Sequence, residues 1–200
     1  MNYKKDKNHK IISEFISDRA KVMDLGCGSG TLMKKLKDRR GAKCQGIERD
    51  SEKVSECISK GLNVFNLDFN DCLIHFPDKS FDFVILNNSL QKTEFPKKII
   101  DEALRIGRSV IIAFPNFAYF KARYQLFFRG RTPMTTSLPY EWFGTPNLRF
   151  LSIKDFMLFC DKKKIKILNS AFISQNRIIR IFPNLLAKEA IFLLDSGNTH

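Results

Sequence analysis

No apolar run in this 200-residue chain approaches the roughly 18 residues needed to cross a bilayer. The opening stretch MNYKKDKNHKII is basic and lacks the apolar core of a secretory signal, so a cytoplasmic location without a membrane partner is expected. The five cysteines, Cys27, Cys44, Cys57, Cys72 and Cys160, are odd in number and never spaced as CxxC, which fits reduced thiols. The histidines, His9, His75 and His200, lie far apart, so no metal site is expected. Tryptophan occurs once, as Trp142. Acid is absent between Glu102 and Glu141, a window that holds Arg105, Arg108, Lys121, Arg123, Arg129 and Arg131. The net charge of +13 is otherwise scattered. No RNP-like aromatic–basic module accompanies it, so nucleic acid is not the expected partner.

What is present is an alternation of strand and helix patterns. KVMDL (21–25), AKCQGIE (42–48), LNVFN (62–66), FDFVILNN (81–88) and SVIIAF (109–114) read as strands. TLMKKLKDRR (31–40), DSEKVSECISK (50–60) and PKKIIDEALRI (96–106) read as the helices between them. Strand–helix–strand units of this kind predict a parallel sheet with helices on both faces. Residues 115–150 break the rhythm with an aromatic, proline-rich and basic insertion. A helix (152–164) and two closing strands, IKILNSAFIS and NRIIRIF, follow. The short link between those two predicts an antiparallel pair. The expectation is an α/β, Rossmann-like fold in one domain over 1–200. Its mostly parallel sheet has seven strands and an antiparallel last pair, its core covers about 20–182, and the insertion precedes strand six. The last residues, SGNTH, are expected to be mobile.

The most informative stretch is VMDLGCGSG (22–30). Gly26, Gly28 and Gly30 let the backbone turn sharply and approach a ligand, and the following helix points free N–H groups at it. The G-x-G-x-G spacing differs from the G-x-G-x-x-G of dinucleotide turns. Asp24 would sit poorly beside a pyrophosphate and well beside an ammonium group. Cys27 lies within the turn. Glu48, at the end of the second strand with Arg49 beside it, is placed to accept from both hydroxyls of a ribose. Asp68 can accept from an exocyclic amine, with Phe69 against the base, and Asn87 ends the fourth strand at the same edge. An amino-acid end, a ribose and an adenine together describe S-adenosylmethionine, or S-adenosylhomocysteine as its product. Two plainer readings stand beside these: Glu48 as a solvated strand end and Asp68 as a helix or turn cap.

With DLGCGSG, GIE and LDF in register, the chain resembles class I methyltransferase-fold proteins. Several longer stretches resemble one branch, the MetW family of methionine biosynthesis proteins: GLNVFNLDFNDCLIHFPDKSFDFVILNNSLQ, EALRIGRSVIIAFPNF, RYQLFFRGRTPMT, LPYEWFGTPN and IKDF. This resemblance spans about 20–175 and leaves out the first twelve residues and the tail after Ile181. The sequence departs from the family pattern at Asn87–Asn88 and near Arg149. The resemblance implies a role in methionine biosynthesis with homoserine O-acyltransferase as partner, and an S-adenosylmethionine site there implies sensing of the pathway's end product.

Methyl transfer needs an acceptor in line with the methyl group and often a base. Asn87, Asn88 and Gln91 can orient a substrate but take no proton. Glu94 reads as a helix cap. Tyr119, Tyr124, Tyr140, Glu141 and Trp142 either line a pocket or serve a partner surface. Catalytic residues are therefore left unassigned. The preferred function is cofactor binding with regulation of the acyltransferase. A small-molecule methyltransferase is the alternative, and an RNA methyltransferase stands behind it.

Overall fold

The computed structural model describes residues 3–175 and 177–197. Among these, eight strands form one sheet: β1 (Lys21–Leu25), β2 (Lys43–Glu48), β3 (Asn63–Asn66), β4 (Phe81–Asn87), β5 (Gly107–Pro115), β6 (Ile167–Ser174), β7 (Arg177–Ile178) and β8 (Glu189–Asp195). The helices are α1 (Tyr3–Phe15), α2 (Thr31–Arg40), α3 (Ser51–Ser59), α4 (Phe69–Cys72), α5 (Pro96–Ile106), α6 (Phe120–Arg129), α7 (Ile153–Lys162) and α8 (Pro183–Leu186). Across the sheet the order is β3-β2-β1-β4-β5-β8-β6-β7. β1 to β5 run parallel, and β8 lies antiparallel between β5 and β6.

Alternation along the central strands divides the core. Val84, Leu86, Val110, Ile112, Phe114, Phe192 and Leu194 face α5 and α7, where they meet Ile100, Ala103 and Phe156. Ile85, Ile111, Ala113 and Ile191 face the other way, against Ile12 and Ile16 at the α1 end and Leu32 and Leu36 of α2. Strands covered on both faces require nearly continuous apolar sequence, which is why FDFVILN and SVIIAF carry so little polarity. Phe114, Phe156 and Phe192 meet with ring centroids 4.8–5.9 Å apart. Such pairs contribute about 0.5–1.5 kcal/mol each beyond the area they bury.

Helix ends follow local chemistry. Asp50 caps α3 by accepting from the N–H groups of Glu52 and Lys53, and Ser152 caps α7 by accepting from Asp155 N–H. Pro96 opens α5. Glu94 does not cap it: the N-cap is Phe95, with no side-chain hydrogen bond.

The C-terminal third corrects the expected topology. Among the described residues the sheet has eight strands, not seven: residues 177–182 give only the two-residue β7, and the additional β8 lies beyond the expected core limit of 182. A strand between two neighbours must be apolar on both faces. EAIFLLD buries Ala190, Ile191, Phe192 and Leu194, whereas Ile181 and Phe182 stay exposed. Four helices were also unexpected: α1, the short α4 and α8, and the α6 that interrupts the insertion. Of the tail expected to be mobile, residues 198–200 lie outside the described residues.

Strand order reverses at β1. The chain builds outward through β2 and β3 on one side, then returns to place β4 and β5 on the other. The crevice between the carboxyl ends of β1 and β4 is the switch point where open α/β sheets take their ligands.

Candidate functional site

The turn after β1 crosses that crevice. Gly26, Gly28 and Gly30 have φ of 75°, 56° and 71°, a region that L side chains rarely adopt. A Cβ on Gly26 would stand 3.1 Å from Ser89 Cβ and 3.5 Å from the Phe69 ring, whereas one on Gly28 would meet nothing within 4 Å. The turn is therefore closed on one side and open on the other.

Its backbone is tied to β2. Gly26 and Cys27 N–H donate to Ile47 O at 2.8 and 3.1 Å. Gly28 N–H donates to Glu48 Oε2 at 2.8 Å, and the other carboxylate oxygen, Oε1, accepts from Arg49 and Asp50 N–H at 3.0 and 3.1 Å. Lys60 donates to Ser29 O at 2.6 Å and the Cys57 thiol to Gly28 O at 3.2 Å. Lys60 and Cys57 were not foreseen as supports. Their only sequence signal is a position near the end of the helix that follows Glu48.

Asp24 lies at the floor and is 2% exposed. Its Oδ1 is buried without a hydrogen-bond partner. Burial, with Glu48 adding like charge, raises its pKa to about 7. Ser89 Oγ, on the far wall, is also buried without a partner. Ser89, two positions beyond β4, was not foreseen and carries no distinctive signal in the sequence. The Cys27 thiol is held far above its ordinary pKa, chiefly by burial and then by Asp24.

Asp68 has the plainer role offered for it, that of a helix cap. It caps α4, with Oδ1 accepting from Asn70 N–H at 2.9 Å and from Asn70 Nδ2 at 2.7 Å. Its Oδ2 lies 3.9 Å from Arg49 Nη1. Phe69 stands over Gly26. Asn87 accepts from Asn88 Nδ2 at 3.1 Å, and Asn88 adopts φ of 57° at the bend out of β4. All ten nominated residues thus lie on the loops and strand ends around the switch point. No group of three or more potential metal ligands occurs among the described residues.

The insertion reaches this edge. Leu148 and Arg149 N–H both donate to Gln91 O at 2.9 and 3.1 Å, and Arg149 Nη2 donates to Glu94 O at 2.7 Å. Gln91 Nε2 in turn donates to Asn88 O at 3.1 Å. The aromatic candidates divide. Tyr119 is buried with Lys188 over its ring. Tyr124 lies on the outer face of α6. Tyr140 and Trp142 line a hollow of about 100 Å³ within the insertion.

A doubly wound sheet with a G-x-G-x-G turn at its switch point and acids at the ends of β1 and β2 defines the class I methyltransferase fold. Solved structures agree on the fold. The chain matches a methyltransferase of Thermotoga maritima described as dependent on S-adenosylmethionine and as a possible histamine N-methyltransferase. That match has a TM-score of 0.69 and 15% identity, over 96% of this chain and 88% of the other. It also matches the [4+2]-cyclase SpnF, with a TM-score of 0.68 and 14% identity over 95% and 80% of the two chains.

Within that class, the model of the family "Methionine biosynthesis protein MetW" matches residues 6–194, and the chain belongs to this family. The match runs well past both limits read from the sequence, taking in α1 and β8. A relative in Rhodopirellula baltica, the bifunctional methionine biosynthesis protein MetXA/MetW, is 34% identical over 204 aligned residues, which is 96% of this chain. The chain spans only 33% of that relative's length. No helix among the described residues is long and apolar enough to cross a membrane.

Proposed function

We propose that this chain binds S-adenosylmethionine at the glycine turn and uses it to regulate homoserine O-acyltransferase. The carrying observation is a pair of buried, unpartnered polar atoms on residues next to the turn: Asp24 Oδ1, two positions before Gly26, and Ser89 Oγ, 3.8 Å from where a Cβ on Gly26 would lie. A buried polar atom without a partner costs about 1–3 kcal/mol, and a ligand that supplies the partner removes that cost. Asp24, a carboxylate with no cationic partner among the described residues, suits an ammonium group. Gly28, with open space beside it, takes the close approach of the amino-acid end. Glu48 holds the ribose hydroxyls while keeping its bond to Gly28 N–H, since a carboxylate has about four acceptor positions. Asp68 Oδ2 is the oxygen left for an adenine amine, and Phe69 and Arg49 flank it.

When bound, the cofactor offers an activated methyl group. The residues beside it favour holding over transfer: Asn87, Asn88, Ser89 and Gln91 orient by hydrogen bonds and none is a base at neutral pH. SpnF shares the fold and is described as a cyclase, so the fold alone does not dictate methyl transfer. The partner reading draws on the relative that joins MetXA and MetW in one polypeptide. The deciding experiment measures acyltransferase rate with and without this chain across a range of S-adenosylmethionine. The expected outcome is a rate that depends on both. A rate indifferent to the chain at every ligand level overturns the reading.

A further inference from the structure

The insertion displays an apolar face that the core does not use. On α6 only Ala122 is buried, while Phe127 and Phe128 are 82% and 69% exposed and Phe120, Tyr124 and Leu126 join them. A ten-residue helix with so little buried surface is marginal by itself. Here it is fastened by polar contacts: Gln125 Nε2 donates to Met134 O and its Oε1 accepts from Met134 N–H, both at 2.8 Å. Arg123 Nε donates to Ala118 O at 2.6 Å, and Gly130 ends the helix in the left-handed conformation. Hydrogen bonds thus hold aromatic rings out in solvent.

Later in the insertion, Trp142 and Phe143 are 73% and 71% exposed, their rings 5.7 Å apart and edge to face. The adjoining hollow of about 100 Å³ is walled by Phe117, Pro133, Leu138, Tyr140, Trp142 and Phe150. It is well below the roughly 300–1,000 Å³ of a small-molecule site. It matches the pocket that receives one anchoring side chain at a protein interface. The rim is basic. Arg105 pairs with Glu102 and Asp78, but Lys121, Arg123, Arg129 and Arg131 have no carboxylate partner among the described residues. Exposed aromatic and arginine side chains around a small apolar pocket have the composition of an interface centre. A single-stranded RNA platform would need open ring faces along a basic track. Here Phe127 meets Phe128 edge to face, and the Arg129 guanidinium lies 5.9 Å from the Tyr124 ring.

We propose that the outer face of α6 and the Tyr140–Phe143 rim form the surface that docks the acyltransferase. An apolar side chain of the partner enters the hollow, and its carboxylates face Lys121, Arg123, Arg129 and Arg131. This rests on the partner reading above and adds where, and by what chemistry, the two proteins meet.

The test is calorimetric titration of the full chain with homoserine O-acyltransferase from the same organism, for wild type, Phe127→Glu, Trp142→Ala and Arg129→Glu/Arg131→Glu. S-adenosylmethionine affinity is measured on each variant as a folding control. Expected are micromolar or tighter binding by wild type, at least tenfold weakening by Phe127→Glu and Trp142→Ala, and a lower, less salt-sensitive association rate after charge reversal. Ligand affinity stays within twofold. Wild-type binding that every variant retains within twofold overturns the surface and leaves the partner reading standing. No binding by wild type overturns both. In that case, self-association lost in Phe127→Glu reassigns the face to a second copy, and a salt-sensitive shift of single-stranded RNA reassigns it to nucleic acid.

Discussion

The two ends of the functional region are built on opposite principles. At the switch point small residues and carboxylates are drawn inward: three left-handed glycines, a buried Asp24, and a Glu48 with both oxygens engaged by backbone. In the insertion large rings and arginines are pushed outward, and backbone and amide hydrogen bonds hold them there. The first arrangement suits the small polar ligand proposed for it. The second presents a broad apolar face with unneutralised positive charge. Gln91 joins the two, since its carbonyl accepts from the insertion and its amide reaches Asn88.

Breaking the inward end has the largest effect. A Cβ on Gly30 would lie 2.5 Å from Leu62 Cδ1 and 2.9 Å from Cys57 Sγ, at a φ of 71°. Left-handed strain of about 1–2 kcal/mol and overpacking of about 1–3 kcal/mol together predict that Gly30→Ala loses about 2–5 kcal/mol. A lowered urea midpoint at unchanged slope checks this. Next comes Glu48→Ala, expected to weaken S-adenosylmethionine binding by about 1.5–3 kcal/mol, the cost of a lost charged hydrogen-bond partner. Unchanged affinity by calorimetry would remove the ribose assignment.

Asp24 gives a smaller effect with a definite sign. Its folded pKa of about 7 lies above the unfolded value, so the folded chain retains the proton longer. From about pH 4 to about pH 7 the unfolded state ionises first, and stability falls by up to about 1.4 kcal/mol per pH unit, then levels off. The difference between wild type and Asp24→Asn isolates this slope. An ammonium ligand binds the ionised form, so affinity should rise with pH up to about 7 and be level above it. The smallest effect sharpens the comparison from the other side: Trp142→Ala should change stability by less than about 0.5 kcal/mol, as for exposed side chains generally. A larger thermal or urea shift would mean that the ring belongs to the core.

The inward end was the more legible in sequence. The turn, Glu48 and Asp68 announce themselves because backbone geometry and charge restrict residue type there, and β1, α2 and α5 start and stop where their patterns predict. The antiparallel pair of β6 and β7 was read correctly, but β8 was missed because NRIIRIF and EAIFLLD are both apolar runs. Only their three-dimensional neighbours, β5 and β6 on either side of β8, decide which is central. The helix in the insertion stayed hidden because RYQLFFRG has no buried stripe to set a helical period: its apolar residues point outward. Ser89 carried no signal, since its significance is contact with Gly26 across 63 positions of sequence.

Glu48 has a consequence for how a ligand arrives. Because its carboxylate accepts from Gly28, Arg49 and Asp50 N–H with the chain folded and alone, the turn is ordered beforehand. The conformational freedom surrendered by Gly26 to Gly30 is a cost of folding and drops out of the association step. Binding should therefore show a modest heat-capacity change, set by the ligand's own apolar surface, and an on-rate free of any loop-ordering delay.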